Sequence, residues 1–231
     1  MTLAQLIHGF APLDMVAGGF LLASWIIFGW LVERTTARRP SVTVLMAQYR
    51  RDWMTLFVTR ENRIFDANIL GTLRQSTNFF ASASMIALGG ALALLGNTQP
   101  LLGLAQEFAL AQEPTVVWDM KLLLIVLLLA NAFLKFVWSQ RLFGYCAVVL
   151  ASVPADSADP LARTRAAKAA EINISAGRSF NRGLRSVYFT LAALAWLLGP
   201  WPLMLATLGT LLLLWRREFG SNSRRVLLAD D

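Results

Sequence analysis

The chain has 231 residues, a net charge of +7, 56% apolar residues and only 15% charged ones. Soluble domains carry fewer apolar and more charged residues, so an ordinary soluble fold is excluded. A single cysteine, Cys146, and a single histidine, His8, rule out an internal disulfide and a His/Cys metal cluster; acidic clusters that would hold Mg or Ca are also missing, and no cofactor is expected.

The first apolar region runs from Leu13 to Val32. No basic stretch precedes it and no small-residue cleavage site follows, so it reads as a retained anchor. Residues 41–58, SVTVLMAQYRRDWMTLFV, then place Val42, Leu45, Met46, Tyr49, Trp53, Leu56 and Phe57 at helical spacing on one face. Two readings stay open. The helix lies on the inner leaflet with Arg50 and Arg51 meeting anionic headgroups, or it packs on the protein's own bundle.

The second apolar region, roughly Gln75 to Gly96, is entered through the charged stretch RENRIFDANILGTLR. On one helix over 62–95, Ala67, Gly71, Gln75, Asn78, Ser82 and Gly89 form a small, polar stripe. Small residues let helices approach closely, and amides hydrogen-bond well where no water competes, so the stripe reads as the packing face of this span. Gln75 and Asn78 are either bonding groups between helices or the lining of a polar cavity at the cytoplasmic mouth.

The third region starts near Val116 and is apolar to about Trp138. Asp119 and Lys121 sit at its outer end, Lys135 sits at its inner end where a lysine can snorkel, and the deeper Asn131 should face other helices. Each of these three regions is about 20 residues or more, enough at roughly 1.5 Å per residue to cross about 30 Å of hydrocarbon.

After Val153 the chain turns polar. Asp159-Pro160 fits a helix cap followed by a proline at the first helical position. An Ala-rich helix should follow, with Arg178, Arg182 and Arg185 on one face. The fourth apolar region, Val187 to Trp215, is broken by Gly199-Pro200-Trp201-Pro202. The prolines lack amide donors and push the preceding residues out of helix. The region is therefore a tight hairpin, with arms of about 14 residues and a re-entrant tip, or else one long kinked span.

The basic residues favour the hairpin. Met1 to Glu33 contains no Lys or Arg, 34–74 contains eight arginines, and 75–120 contains none. Positive charge marks the cytoplasmic side. The N-terminus is thus expected outside, 34–74 and 139–186 inside, and the 97–115 loop with Glu107 and Glu113 outside. Only a hairpin returns Arg216, Arg217, Arg224 and Arg225 to the inside. The basic balance is a topology signal, and no nucleic-acid partner is implied. The expected fold is all-α, a polytopic transmembrane helical bundle with three long spans plus a Pro-broken C-terminal helical hairpin. It forms a single integral membrane domain over 1–231.

The cytoplasmic segments hold the candidate site. Arg63, Asp66, Arg74, Gln75 and Asn78 come from the entry to the second span, and RSFNRGLR adds Asn181, Arg182 and Arg185 from the same membrane face. A network of Asp66 with Arg182 or Arg185 would lock the two segments together. An excess of arginine over acid there would hold an anion, a phosphate or a lipid headgroup; the plainer reading is a solvated positive rim.

Two stretches carry a resemblance. They are RENRIFDANILGTLRQSTNFFASASMIALGG and AGRSFNRGLRSVYFTLAALAWLLGPW, with the closing RREF. Arg63, Ile64 and Asp66 fit an R-I-x-D core, Phe79 to Ser82 a Phe-Phe-Ala-Ser entry to a span, Phe180 to Arg185 an F-N-R-G-x-R segment, and Arg216 to Phe219 the R-R-E-F end. Over about residues 45 to 220 the chain resembles a family of bacterial and plant membrane proteins, the domain of unknown function 599; it departs at Ala83-Ser84, where a threonine is expected. The resemblance implies a multi-pass membrane protein and no activity. The location expected is the bacterial cytoplasmic (inner) membrane. The expected role is a non-enzymatic scaffold or accessory protein, in contact with the bilayer and its anionic headgroups and self-associating through the second span. The alternative is a small transporter or channel for an anion or lipid-like solute. An enzyme has least support, since no nucleophile–base pair, Rossmann motif or P-loop is visible.

Overall fold

A computed structural model describes residues 11–35, 38–97 and 114–229. His8, Glu107 and Glu113 lie outside the described residues. Every regular element among the described residues is helical. They are α1 Pro12–Glu33, α2 Val42–Thr59, α3 Ile64–Gly96, α4 Thr115–Ala151, α5 Pro160–Leu194, a 3-10 turn Ala195–Leu198, α6 Pro200–Phe219 and α7 Asn222–Leu227.

Local chemistry accounts for the helix starts. Pro12 and Pro160 stand at first helical positions, where no amide hydrogen is needed. Ser41 caps α2 by accepting from the Val44 amide at 3.2 Å. Asn62 Oδ1 accepts from the Ile64 amide at 2.9 Å, and Asp159 Oδ1 accepts from the Leu161 amide at 2.7 Å. The cap expected at Asp159 is therefore formed, and α5 runs unbroken through Gly177 and Gly183.

Three helices, α1, α3 and α4, are long and apolar enough to cross a membrane. α3 and α4 have 33 and 37 residues, roughly 50 and 55 Å at 1.5 Å per residue, so both exceed the hydrocarbon thickness. Each continues as one helix into a segment expected to be cytoplasmic.

The fourth apolar region breaks where the prolines require. Gly199 has φ +118°, a conformation that a side chain resists, and Pro200 starts α6. α6 has 20 residues, about 30 Å. The arms are thus longer than the 14 residues expected, because helix α6 continues through Trp215 to Phe219 and the arm entering the break belongs to the 35-residue α5.

The chain divides into two compact units. Unit 1 takes in the described residues of 1–31, 83–132 and 184–216, and unit 2 those of 32–82, 133–183 and 217–231. Residues 184–216, on both sides of the break at Gly199, belong to unit 1, and Arg217 onward belongs to unit 2.

Unit 1 is built on Ala17, Leu21, Leu122, Ile125, Phe189 and Leu203, all buried. Asn131 meets another helix as expected, receiving a hydrogen bond from Ser186 Oγ at 3.0 Å.

Unit 2 has a core of Met54, Phe57, Val58, Leu70, Phe143, Cys146 and Leu150 against the alanines 162, 166, 169 and 170 of α5. Antiparallel contacts between α4 and α5 show why alanine is used. Ser139 Oγ donates to the Ala176 carbonyl at 2.8 Å, and Ser179 Oγ to the Lys135 carbonyl at 2.8 Å, approaches that larger side chains would prevent. The open question over α2 is resolved for one flank. Ala47, Met54, Phe57 and Val58 pack on the protein's own core, while Tyr49 and Leu56 on the other flank stay exposed.

Candidate functional site

At the entry to α3, Asp66 is 1% exposed and lies in the first turn. One of its oxygens, Oδ1, accepts from Trp53 Nε1 at 2.6 Å and from Arg60 Nη1 at 2.6 Å. The expected pairing of Asp66 with Arg182 or Arg185 is replaced by this local one, because Arg60 is only six residues away and reaches it without ordering a distant segment. Arg63 donates to the Val153 and Pro154 carbonyls at 2.9 and 2.8 Å and lies over the Phe57 ring at 4.7 Å. It thereby ties the start of α3 to carbonyls just beyond α4. Arg63, Asp66 and Arg74 line one cavity of about 310 Å³ with Leu70, Gly71 and Ala147.

The other expected residues disperse. Arg182 donates from Nε to Glu33 Oε1 at 2.9 Å, with Nη2 on Oε2, and this bond raises its pKa above the ordinary arginine value. Asn181 donates to Thr43 Oγ1 at 3.3 Å. Arg185 belongs to unit 1, where it is buried near Gly29.

The α3 stripe is a correction of a different kind. Ala67, Gly71, Gln75, Asn78, Ser82 and Gly89 are all exposed. The face that packs is the opposite one, with Leu70, Thr77, Ala81, Ser84 and Ala91. Both faces hold small residues, so composition could not choose between them; the packed one is the one that also carries Asp66 and Leu70. Asn78 still bonds across helices, accepting from Gln140 Nε2 at 3.3 Å. Only 17% of the apolar window of α3 is buried, against 33% for α1 and 44% for α4, so α3 has the most uncovered surface of the three.

Sequence reasoning missed two groups. The first is a larger cavity of about 550 Å³ in unit 2, lined by α2, α3, α5, the end of α6 and the chain just after it. Arg50, Arg178 and Arg217 face it beside one carboxylate, Glu218. Arg50 donates to Asn173 Oδ1, and burial pushes its pKa below the ordinary arginine value. Glu218 accepts from the amide and the hydroxyl of Thr43, each at 3.1 Å. The spacing of Arg178 from Arg182 and the RREF end were the available signals.

The second is in unit 1. Lys121 is 1% exposed, 3.6 Å from Asp14 Oδ1, and 5.8 Å from the rings of Trp118 and Trp196. Asp14 Oδ1 also accepts from Trp196 Nε1 at 2.7 Å. The signal was an aspartate two residues inside the first apolar helix, since ionisable groups in such segments are rare and paired. Among the described residues no three His, Cys, Asp or Glu side chains converge to hold a metal ion.

A family model described as "Protein of unknown function, DUF599" matches residues 16–223, and the chain belongs to that family. No curated protein matches, and no solved structure does.

Proposed function

We propose that this member of the DUF599 family is a multi-pass protein of the bacterial inner membrane that acts as a non-enzymatic accessory protein and self-associates through α3. The N-terminus lies outside and the C-terminus in the cytoplasm, following the arginine distribution. One observation carries the reading: the small, polar face of α3 is left uncovered by the rest of the chain. In hydrocarbon, Ser82 and Gly89 gain nothing from lipid tails, whereas a second copy can approach closely there.

Cysteine cross-linking in membranes tests it. In a Cys146→Ser background, Ser82→Cys and Gly89→Cys should each form disulfide-linked dimers on oxidation. Ile26→Cys and Ile27→Cys, on the exposed flank of α1, should not. Equal cross-linking at all four positions, or none at any, defeats the assignment of α3 as the interface.

A further inference from the structure

The larger cavity of unit 2 is not used by self-association through α3. Its charge is unbalanced: Arg217 has a partner of its own, but the guanidinium groups of Arg50 and Arg178 face a wall whose one carboxylate, Glu218, is already held by Thr43. Arg178 is half-buried, and among the described residues it has no hydrogen-bond partner. Arg50 is half-buried, and its partner Asn173 is a neutral amide that cancels no charge. Gly177 lets this guanidinium in, because a Cβ there would lie 3.1 Å from its carbon. Arginine forks match the tetrahedral oxygens of phosphate, and a partly desolvated pair of them favours an anion over water.

The rest of the wall is apolar. Met46, Leu73, Ile174 and Phe180 line the same cavity. A bare inorganic ion leaves those side chains facing water, whereas a phosphate ester with a hydrocarbon body covers them.

We propose that this cavity binds a phosphate group, with Arg50 and Arg178 as its ligands, and that the group is carried by an anionic phospholipid. The site requires neither dimer formation nor transport. Failure of the cross-linking experiment would therefore leave it standing, and its own failure would leave the α3 interface standing.

The test uses the full-length protein, purified and placed in phosphatidylcholine nanodiscs with and without phosphatidylglycerol. Retained lipid is counted by native mass spectrometry. Arg51→Gln is the matched control, since Arg51 lies on the same helix as Arg50, pairs with Glu171 of α5 and does not line the cavity. The wild type and Arg51→Gln should retain phosphatidylglycerol preferentially. Arg178→Gln should lower that preference by about ten- to a hundredfold, the worth of one charge-assisted hydrogen bond. Ser223→Glu adds a negative charge at an exposed position on the rim without unpairing any group, and it should give a similar loss even if Arg178→Gln folds poorly. Displacement of the lipid by glycerol phosphate or inorganic phosphate at equal concentration would support the phosphate site and assign its natural ligand to the soluble pool. Equal losses in Arg51→Gln and Arg178→Gln would show only a diffuse basic surface and overturn the proposal. So would unchanged retention in both Arg178→Gln and Ser223→Glu.

Discussion

At the residue scale, the buried pair of Lys121 and Asp14 is a costly arrangement to disturb. Both side chains are almost fully enclosed, and the Lys121 ammonium lies 3.6 Å from the Asp14 carboxylate. Lys121→Met leaves a carboxylate without its cation and should destabilise the protein by about 3–5 kcal/mol, as removal of one member of a buried pair does. The double variant Lys121→Met with Asp14→Asn removes both charges of the pair and should recover part of that loss. Thermal unfolding in detergent gives the comparison, and a double variant no more stable than the single one would show that charge matching is not what the pair supplies. Little of this was legible beforehand. Lys121 reads as an outer-end residue, and nothing in its neighbourhood on the chain indicates that an aspartate more than a hundred residues earlier completes it.

At the element scale, the close approach of α4 and α5 rests on Gly183. A Cβ there would meet the Phe136 ring at 2.7 Å, and that ring is fully buried with Phe80 and Phe180 centroids each 5.5 Å away. The ring has nowhere to yield. Gly183→Ala gains about 1 kcal/mol of helix propensity and should still lower stability by about 1–3 kcal/mol through overpacking. Gly144→Ala, in the same pair of helices with open space around it, should be neutral or stabilising. Denaturant midpoints of the two variants would test this, and equal effects would mean that contact with Phe136 is not limiting. In the sequence the two glycines look alike. The difference lies in which neighbour each one faces.

At the scale of the whole molecule, the arginine distribution predicts a path that brings the two ends to opposite sides of the bilayer. A periplasm-active reporter should work at the N-terminus and a cytoplasm-active one at the C-terminus; activity of the same reporter at both ends would refute that path. What the sequence alone determined was whatever depends on composition along a segment. That includes the membrane-crossing helices α1, α3 and α4, the capped start of α5 at Asp159-Pro160 and the break at Gly199-Pro200, because hydropathy, capping and missing amide donors act locally. What only the tertiary structure decided was which face of α3 is covered, that α2 packs on its own core, that Asp66 takes Arg60 instead of Arg182, and that Arg50, Arg178 and Arg217 share one cavity. Those outcomes depend on side chains far apart in the chain. Charge and size allow many such partnerships, and only the packed arrangement selects among them.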